Sequence, residues 1–403
     1  MIKPLRGMKD LMFEDSQRFM HIIATATKVA KRYGYNYIET PILEETSLFK
    51  RSVGDSSDIV SKEMYQFEDK GGNDVCMRPE GTAGVVRAFV SAKLDRQPVK
   101  QKFYYYGPMF RYERPQKGRL REFHQFGCES FGEASVYEDF TIIVMISQIF
   151  KELGIGFDLL INSLGCPECM PPYRENLVNF LTDIKEELCE DCNRRISTNP
   201  IRVLDCKNEK CQSLLTQSPK LIENLCESCD TDFKKLTKLL DDAGIAYTVD
   251  TNLVRGLDYY NKTAFEFVSN EIGAQSAIAG GGRYDKLVEF LDGKPTPAVG
   301  FAIGIERIME LVKMPESERE GYYMGAMVPE AVEKIIILAN RKRENKKVTV
   351  EYASKGFKSH MKGVDKSNAR FAVLIGEDEL ANNTVWIKDM ESKEEKIIPL
   401  SEF

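Results

Sequence analysis

The chain has 403 residues, 42% of them hydrophobic and 29% charged, with a formal net charge of −6. That is apolar material enough for more than one packed core, which excludes a disordered chain. No run reaches the ~18 apolar residues of a membrane span and no apolar leader opens the chain, so a soluble cytoplasmic protein is expected, and the acidic balance confines any nucleic-acid contact to a local basic patch.

In chain order, the first predicted element is an amphipathic helix from Asp15 to Tyr33, with Phe19, Ile22, Ile23, Ala26, Val29 and Ala30 on one face and Gly34 at the C′ position. The run Arg78-Pro-Glu-Gly-Thr82 reads as a turn entering a helix that Thr82 can cap, beside which Glu80 could hold an ammonium group. Two antiparallel strands follow, Lys102–Arg111 and Glu122–Ser130, joined by a polar loop that carries Arg114, Lys117, Arg119 and Arg121. A second helix spans Val136–Leu153, opened by a capping box from Ser135 to Glu138 and closed by Gly154.

From Cys166 to about residue 246 the chain turns helical, charged and cysteine-rich, as an insertion would. Short strands resume at Ala264–Asn270 and Ala274–Asp285, and Gly300–Arg307 reads as a strand entering a helix. A polar linker over 313–321 separates a first domain of residues 1–318 from a second of 321–403, which alternates strands and helices as a small α/β domain. In the second domain Lys358, Lys362, Lys366 and Arg370 recur every four residues and would share one helix face.

A period of two places Phe123, Gln125, Gly127 and Glu129 on one face of the second hairpin strand, presenting a ring, an amide, a gap and a carboxylate. Taken alone, that face also reads as the solvent side of a half-buried strand. Arg111 on the preceding strand is the residue type that grips phosphate with paired charge-assisted hydrogen bonds, and the loop arginines make an anionic ligand above the hairpin plausible. The runs Arg255–Tyr260 and Gly280–Tyr284 carry further arginine and tyrosine beside glycine, and Arg307 could stack on a flat ligand lying close to the Gly300 and Gly304 backbone.

In this order the segments resemble those of the class II aminoacyl-tRNA synthetases, and within them the histidyl-tRNA synthetase family. RYGYNYIETPILE with Pro41 is similar to the first class II motif, FRYERPQKGRLREFHQFGCE to the second and GFAIGIER to the third, while RPEGT, LVRGLDYY and GGGRYD are similar to segments peculiar to the histidine enzymes. The resemblance implies an α+β catalytic domain built on an antiparallel sheet, an inserted helical subdomain and a C-terminal α/β anticodon-binding domain. It implies a homodimer joined through the first motif, with ATP accompanied by Mg²⁺, L-histidine and tRNA(His) as partners. By the same resemblance Glu80, Thr82 and Gln125 hold the α-ammonium group, Glu129 and Tyr260 bind the imidazole nitrogens, and Tyr259 and Tyr284 complete the amino-acid pocket. Arg111 and Arg255 serve the α-phosphate and with it catalysis, Arg119 reaches toward the γ-phosphate, and Phe123 and Arg307 enclose the adenine. Arg114 and Gln116 would meet the 5′ guanosine end of the tRNA, and Lys358 and Lys362 the anticodon stem.

The same resemblance extends to a non-catalytic paralogue, the regulatory subunit of ATP phosphoribosyltransferase. The arginines Arg111, Arg255 and Arg307 and the C-terminal segment argue against it. The cysteines lie outside the resemblance. Cys189 with Cys192, Cys206 with Cys211 and Cys226 with Cys229, besides Cys166 and Cys169 before them, have spacing that could hold a structural zinc, and free thiols remain the alternative.

Overall fold

A computed structural model of the chain describes residues 2–54, 57–116, 118–204, 206, 208–272, 277–315 and 318–403. Lys117, positions 274–276 of the expected strand and positions 316 and 317 of the linker lie outside them. The chain divides into two units, Met1–Lys313 and Met314–Phe403.

Helix α1 (Phe13–Arg32) buries Ile22, Ile23, Ala26, Val29 and Ala30 along one stripe, with acidic residues in its first turn and Lys31 and Arg32 in its last, where they complement the helix dipole. The edge strand β1 (Asn36–Tyr37) leads into a small antiparallel sheet of β2 (Leu43–Glu45), β3 (Tyr65–Glu68) and β4 (Asp74–Met77), with α2 (Thr46–Val53) after its first strand. Helix α3 (Thr82–Ser91) then precedes the hairpin β5 (Gln101–Phe110) and β6 (Glu122–Phe131), whose antiparallel register pairs Tyr105 with Gly127 and Phe103 with Glu129.

Helix α4 (Val136–Glu152) and strand β7 (Asp158–Ser163) lead to the insertion, which comprises α5 (Met170–Asp183), α6 (Glu190–Thr198), α7 (Glu209–Leu215) and α8 (Glu227–Asp242). The chain returns through β8 (Thr248–Val249), β9 (Asn261–Val268), β10 (Ala277–Arg283), α9 (Leu287–Phe290), β11 (Ala298–Gly304) and α10 (Ile305–Met309).

Among the described residues the main sheet has the order β1-β5-β6-β11-β10-β9-β7-β8. Its central strands run antiparallel as expected, but the two short edge strands do not: β1 lies parallel to β5 and β8 parallel to β7. Alternation sorts the side chains onto two cores. Tyr104, Phe126 and Cys128 pack with α1, α4 and α8 on one face, and Tyr105, Phe131 and Phe123 pack with α2, α3 and α9 on the other. The second face carries the odd-numbered residues of β6, and with them the carboxylate of Glu129.

The structure corrects two helix caps. Ser135 does cap α4, accepting from Tyr137 N at 3.2 Å, but no capping box closes: Glu133 takes the Ser135 amide at 2.9 Å, and Glu138 turns to Lys102 at 2.6 Å. Thr82 is the first residue of α3 and does not cap it. The side chain of Glu80 does so, accepting from the Thr82 and Ala83 amides at 2.7 and 2.8 Å.

The cysteines of the insertion gather in two groups, a grouping that their spacing left open. Cys226 and Cys229 join Cys166 and Cys169, leaving Cys189, Cys192, Cys206 and Cys211 as a separate group.

The second unit holds a sheet of order β13-β12-β14-β15-β16, formed by β12 (Tyr322–Ala326), β13 (Val348–Val350), β14 (Phe371–Ile375), β15 (Thr384–Asp389) and β16 (Glu395–Pro399). Helices α11 (Val332–Lys342), α12 (Phe357–Ser367) and α13 (Glu377–Ala381) accompany it. Lys358, Lys362 and Lys366 are exposed on α12, but Arg370 is not on that helix. Asn368 ends α12 in the left-handed region, and Arg370 pairs with Asp389 at 3.2 Å.

One ion pair fastens α4 to the sheet. Arg283, 1% exposed at the end of β10, binds the Asp139 carboxylate and the Glu133 and Ser135 carbonyls at the start of α4. Arg283→Met should leave Asp139 buried without its partner and lower stability by about 3–5 kcal/mol in equilibrium urea unfolding. A loss below about 1 kcal/mol, the size of an exposed pair, would show that the contact is dispensable.

Candidate active site

A cavity of about 200 Å³ opens between the hairpin, β10, β11 and the segment before β9. Its walls include Glu80, Thr82, Arg111, Arg119, Phe123, Gln125, Arg255, Tyr259, Tyr260 and Arg307, so residues from the Arg78–Thr82 turn, the hairpin, Arg255–Tyr260, Gly280–Tyr284 and Gly300–Arg307 meet there. A larger cavity of about 490 Å³ shares Arg255, Leu257, Tyr259 and Tyr260 with it and extends into the insertion. The smaller one concentrates the charge.

Beneath its floor lies Glu129, fully buried. Oε1 accepts from Thr82 Oγ1 at 2.8 Å and Tyr105 OH at 3.1 Å, and Oε2 accepts from the Tyr284 hydroxyl. Burial pushes the Glu129 carboxyl up to about 8 against the pull of those hydroxyl donors, and the charge of Glu80 adds to the rise. The gap expected at Gly127 has a specific filler. The Tyr105 ring occupies the place a Cβ would take there, which brings its hydroxyl to Glu129. Gly300, directly opposite Glu129 in the β6–β11 ladder, leaves room for that carboxylate and not for a ligand lying on the strand, as its motif alone suggested.

Glu80 is buried as well, and burial raises its carboxyl against the two α3 amides that bind it. Tyr259 OH reaches it at 3.4 Å. Tyr259, Tyr260 and Tyr284 pack with ring centroids 4.7 to 6.3 Å apart, and burial pushes the Tyr260 hydroxyl up to about 12, so it stays a neutral phenol. Gln125 contributes a buried Oε1 and Arg255 a buried Nε that have no hydrogen-bond partner among the described residues. An acceptor and a cationic donor left open on one cavity are what a ligand with an ammonium group and an anionic group would satisfy.

Four guanidinium groups belong to the same cavity. Arg111 donates to the Pro79 carbonyl at 2.9 Å and lies 5.2 Å over the Phe123 ring. Arg255 pairs with Glu266 at 2.6 Å, its head group in the space that a Cβ on Gly280 would fill. Arg119 pairs with Glu113, and Arg307 donates to the Ala277 carbonyl. Burial lowers Arg307, and the charges of Arg119 and Arg111 lower it further, so the arginines repel one another across the cavity.

Two expected pocket residues, Glu129 and Tyr284, support the wall from behind and do not line it. Arg114 and Gln116 stand exposed on the β5–β6 loop outside it, and Gln116 borders a separate small cavity with His124. Sequence reasoning missed Tyr105, which completes the donor set on Glu129, and Glu266 and Glu113, which hold Arg255 and Arg119. Of these, Tyr105 had a signal, because it faces Gly127 once the hairpin register is drawn. His124 bonds Glu306 at 2.7 Å, and His360 lies between Tyr323 OH and the Ala326 carbonyl, so both serve structural contacts.

The raised Glu129 carboxyl has a stability consequence. From its ordinary value near 4.5 up to about 8, the folded chain keeps a proton that the unfolded chain releases, so stability falls as pH rises through that window. Relative to Glu129→Gln, the unliganded wild type should lose stability by up to about 1.4 kcal/mol per pH unit between pH 5 and 8. A wild-type-minus-variant difference that stays flat in urea titrations over this range would contradict the buried, protonated state.

A sequence model described as histidyl-tRNA synthetase matches residues 7–169 and 194–308, and one described as an anticodon-binding domain matches residues 325–403. The chain is 86% identical over 402 residues to the histidine–tRNA ligase of Sulfurovum sp. (strain NBC37-1), covering 100% of each protein. It is 65% identical over 398 residues to that of Sulfurimonas denitrificans, covering 99% of each. The crystal structure of apo S. aureus histidyl-tRNA synthetase superposes with a TM-score of 0.82 at 35% identity, over 100% of this chain and 98% of that one. An ATP phosphoribosyltransferase regulatory subunit/histidyl-tRNA synthetase from Bacillus halodurans shares the fold, with a TM-score of 0.66 at 23% identity. The chain therefore belongs to the histidyl-tRNA synthetase family of class II aminoacyl-tRNA synthetases, the enzymes that ligate histidine to tRNA.

Proposed function

We propose that the 200 Å³ cavity holds histidine and ATP side by side and carries out both half-reactions: adenylate formation, then transfer to the tRNA 3′ end. The observation that carries this reading is a pair of buried polar atoms without a partner among the described residues, the acceptor of Gln125 and the donor of Arg255, on two residues that line one cavity. Gln125 and Glu80 take the α-ammonium group, with Thr82 positioning the wall between them. Binding the imidazole would displace the proton that burial keeps on Glu129 in the unliganded chain, and the ionised carboxylate then offers about four acceptor positions. Three on Glu129 are occupied by hydroxyls, so one remains for an imidazole N–H, while Tyr260 serves the second ring nitrogen. Tyr259 and Tyr284 fix the pocket's shape around the ring.

The histidine carboxylate attacks the α-phosphorus in line, and pyrophosphate leaves, so no protein nucleophile is required. Arg111 and Arg255 stabilise the charge that develops on the α-phosphate, and Arg119 takes the γ-phosphate after release from Glu113. Phe123 and Arg307 flank the adenine. Mg²⁺ accompanies ATP and neutralises charge on the departing phosphates. Glu113 and Glu266 are the carboxylates beside the phosphate-binding arginines, and each would have to loosen its arginine pair to meet the ion. The cysteines of the insertion are ligands of the type that hold a structural zinc.

Arg114 and Gln116 stand free at the hairpin tip to meet the 5′ end of tRNA(His), as single-stranded RNA ends are read by polar side chains. Lys358 and Lys362, exposed on α12, contact the anticodon stem backbone. The exposed apolar residues Tyr37, Ile42, Leu43 and Tyr106 cluster around the first motif and support its use as a homodimer interface in the cytoplasm.

Arg255→Ala should lower histidine-dependent ATP/pyrophosphate exchange by about 10²–10³-fold, the scale of one preorganised donor to a developing charge. Circular dichroism should stay unchanged, because the residue contributes charge more than packing. Exchange at the wild-type rate, or exchange supported by another amino acid in place of histidine, would overturn the assignment.

A further inference from the structure

We propose that the inserted subdomain is built on two tetrathiolate zinc sites, one of Cys166, Cys169, Cys226 and Cys229 and the other of Cys189, Cys192, Cys206 and Cys211. The family match breaks over residues 170–193, the part of the insertion that carries Cys189 and Cys192.

The argument is geometric. A Zn–S bond of ~2.3 Å in a tetrahedron sets neighbouring sulfurs ~3.8 Å apart. In the first group Cys166 Sγ lies 3.7 Å from both Cys169 Sγ and Cys226 Sγ, and in the second Cys189 Sγ lies 3.8 Å from Cys206 Sγ. Within each group all four sulfurs fall within 4.8 Å of one another. That spacing is too long for the ~2.05 Å of a disulfide, and too tight for thiolates spread around an iron–sulfur cluster of several metal atoms.

Backbone amides point at the sulfurs as they do around bound thiolates. Cys226 N donates to Cys169 Sγ at 3.1 Å and Glu168 N to Cys166 Sγ at 3.4 Å. In the second group Cys189 N donates to Cys211 Sγ at 3.3 Å and Asn208 N to Cys206 Sγ at 3.4 Å. Amides stabilise sulfur that carries negative charge, which metal ligation supplies and a buried neutral thiol does not.

The insertion also needs what the sites would provide. Helices α6 and α7 have 9 and 7 residues, too short to persist alone, and the core around them interleaves the cysteines with a modest set of apolar residues such as Tyr173, Leu177, Leu181 and Val203. A metal substitutes for missing apolar core in such small units. The first site would tie the exit from β7 to the start of α8, closing the base of the insertion, and the second would close its tip by joining the starts of α6 and α7. Arg195 and Arg202 then extend from this region to Asp58 and Asp258 beside the active-site cavity, at 2.8 and 3.1 Å.

The test uses the full chain, produced without a polyhistidine tag and passed over chelating resin. Native mass spectrometry and elemental analysis should find two zinc ions per chain. The double variants Cys189→Ser with Cys192→Ser, and Cys226→Ser with Cys229→Ser, should each retain one. Wild-type protein produced with cobalt should show the strong visible absorption of tetrahedral thiolate cobalt, halved in each double variant. Folded wild-type protein without metal, masses reduced by disulfide formation, iron in place of zinc, or a single metal per chain would overturn the proposal. If a double variant fails to fold, the wild-type metal count and cobalt spectrum still decide.

Discussion

The structure of the catalytic unit turns on one buried carboxylate. Glu129 sits in the middle of the main sheet with no exposed surface, where an ionised group without partners would be strongly destabilising. Three hydroxyls from three elements converge on it: Thr82 from α3, Tyr105 from β5 and Tyr284 from just after β10. Each of those elements is thereby fixed relative to the β6 floor. Under the proposed function the same group that orders the wall of the cavity would also read a ring nitrogen, so that specificity and local architecture would rest on a single side chain.

Charge balance governs the other half of the cavity. Arg111, Arg119, Arg255 and Arg307 crowd one side, where Glu113 pairs with Arg119 and, at 4.0 Å, with Arg111, and Glu266 pairs with Arg255. Under the proposed function, bringing ATP into this space would exchange arginine–arginine repulsion for arginine–phosphate attraction. Preorganised cations of this kind lower the barrier for charge developing on phosphorus without reorganising during the reaction. The ammonium side, with Glu80 and Gln125, carries the opposite polarity. On the proposed reading, a zwitterionic amino acid and a nucleotide would therefore be oriented with their reacting ends together.

Much of this was legible in the sequence because the elements that carry it are long and strongly patterned. The period of two in β6 placed Gln125 and Glu129 on one face, and the apolar stripe of α1 named its buried residues together with Phe19, which is only partly buried. The resemblance to class II synthetases then joined segments far apart in sequence. What escaped was decided by contacts across elements. Ser135 and Glu138 have capping-box spacing, but Glu133 and Lys102 compete for the same groups. The four-residue repeat of basic residues runs past α12, because Asn368 adopts a left-handed turn before Arg370. The partners of Glu129 and Arg255 were hidden for the same reason: Tyr105 and Glu266 look like ordinary strand residues until the register sets them opposite Gly127 and Gly280. Cysteine spacing announced ligand chemistry, while the grouping into two tetrads depends on how α5 to α8 fold back.

The most direct test of the account is titration calorimetry of Glu129→Ala with histidine and, separately, with ATP. A hydrogen bond to a charged group contributes roughly 1.5–3 kcal/mol. The account predicts histidine affinity reduced about ten- to a hundredfold, with ATP affinity close to that of the wild type. Weakened ATP binding with histidine affinity intact would mean that this face of β6 reads the nucleotide, and would contradict the placement of the amino acid.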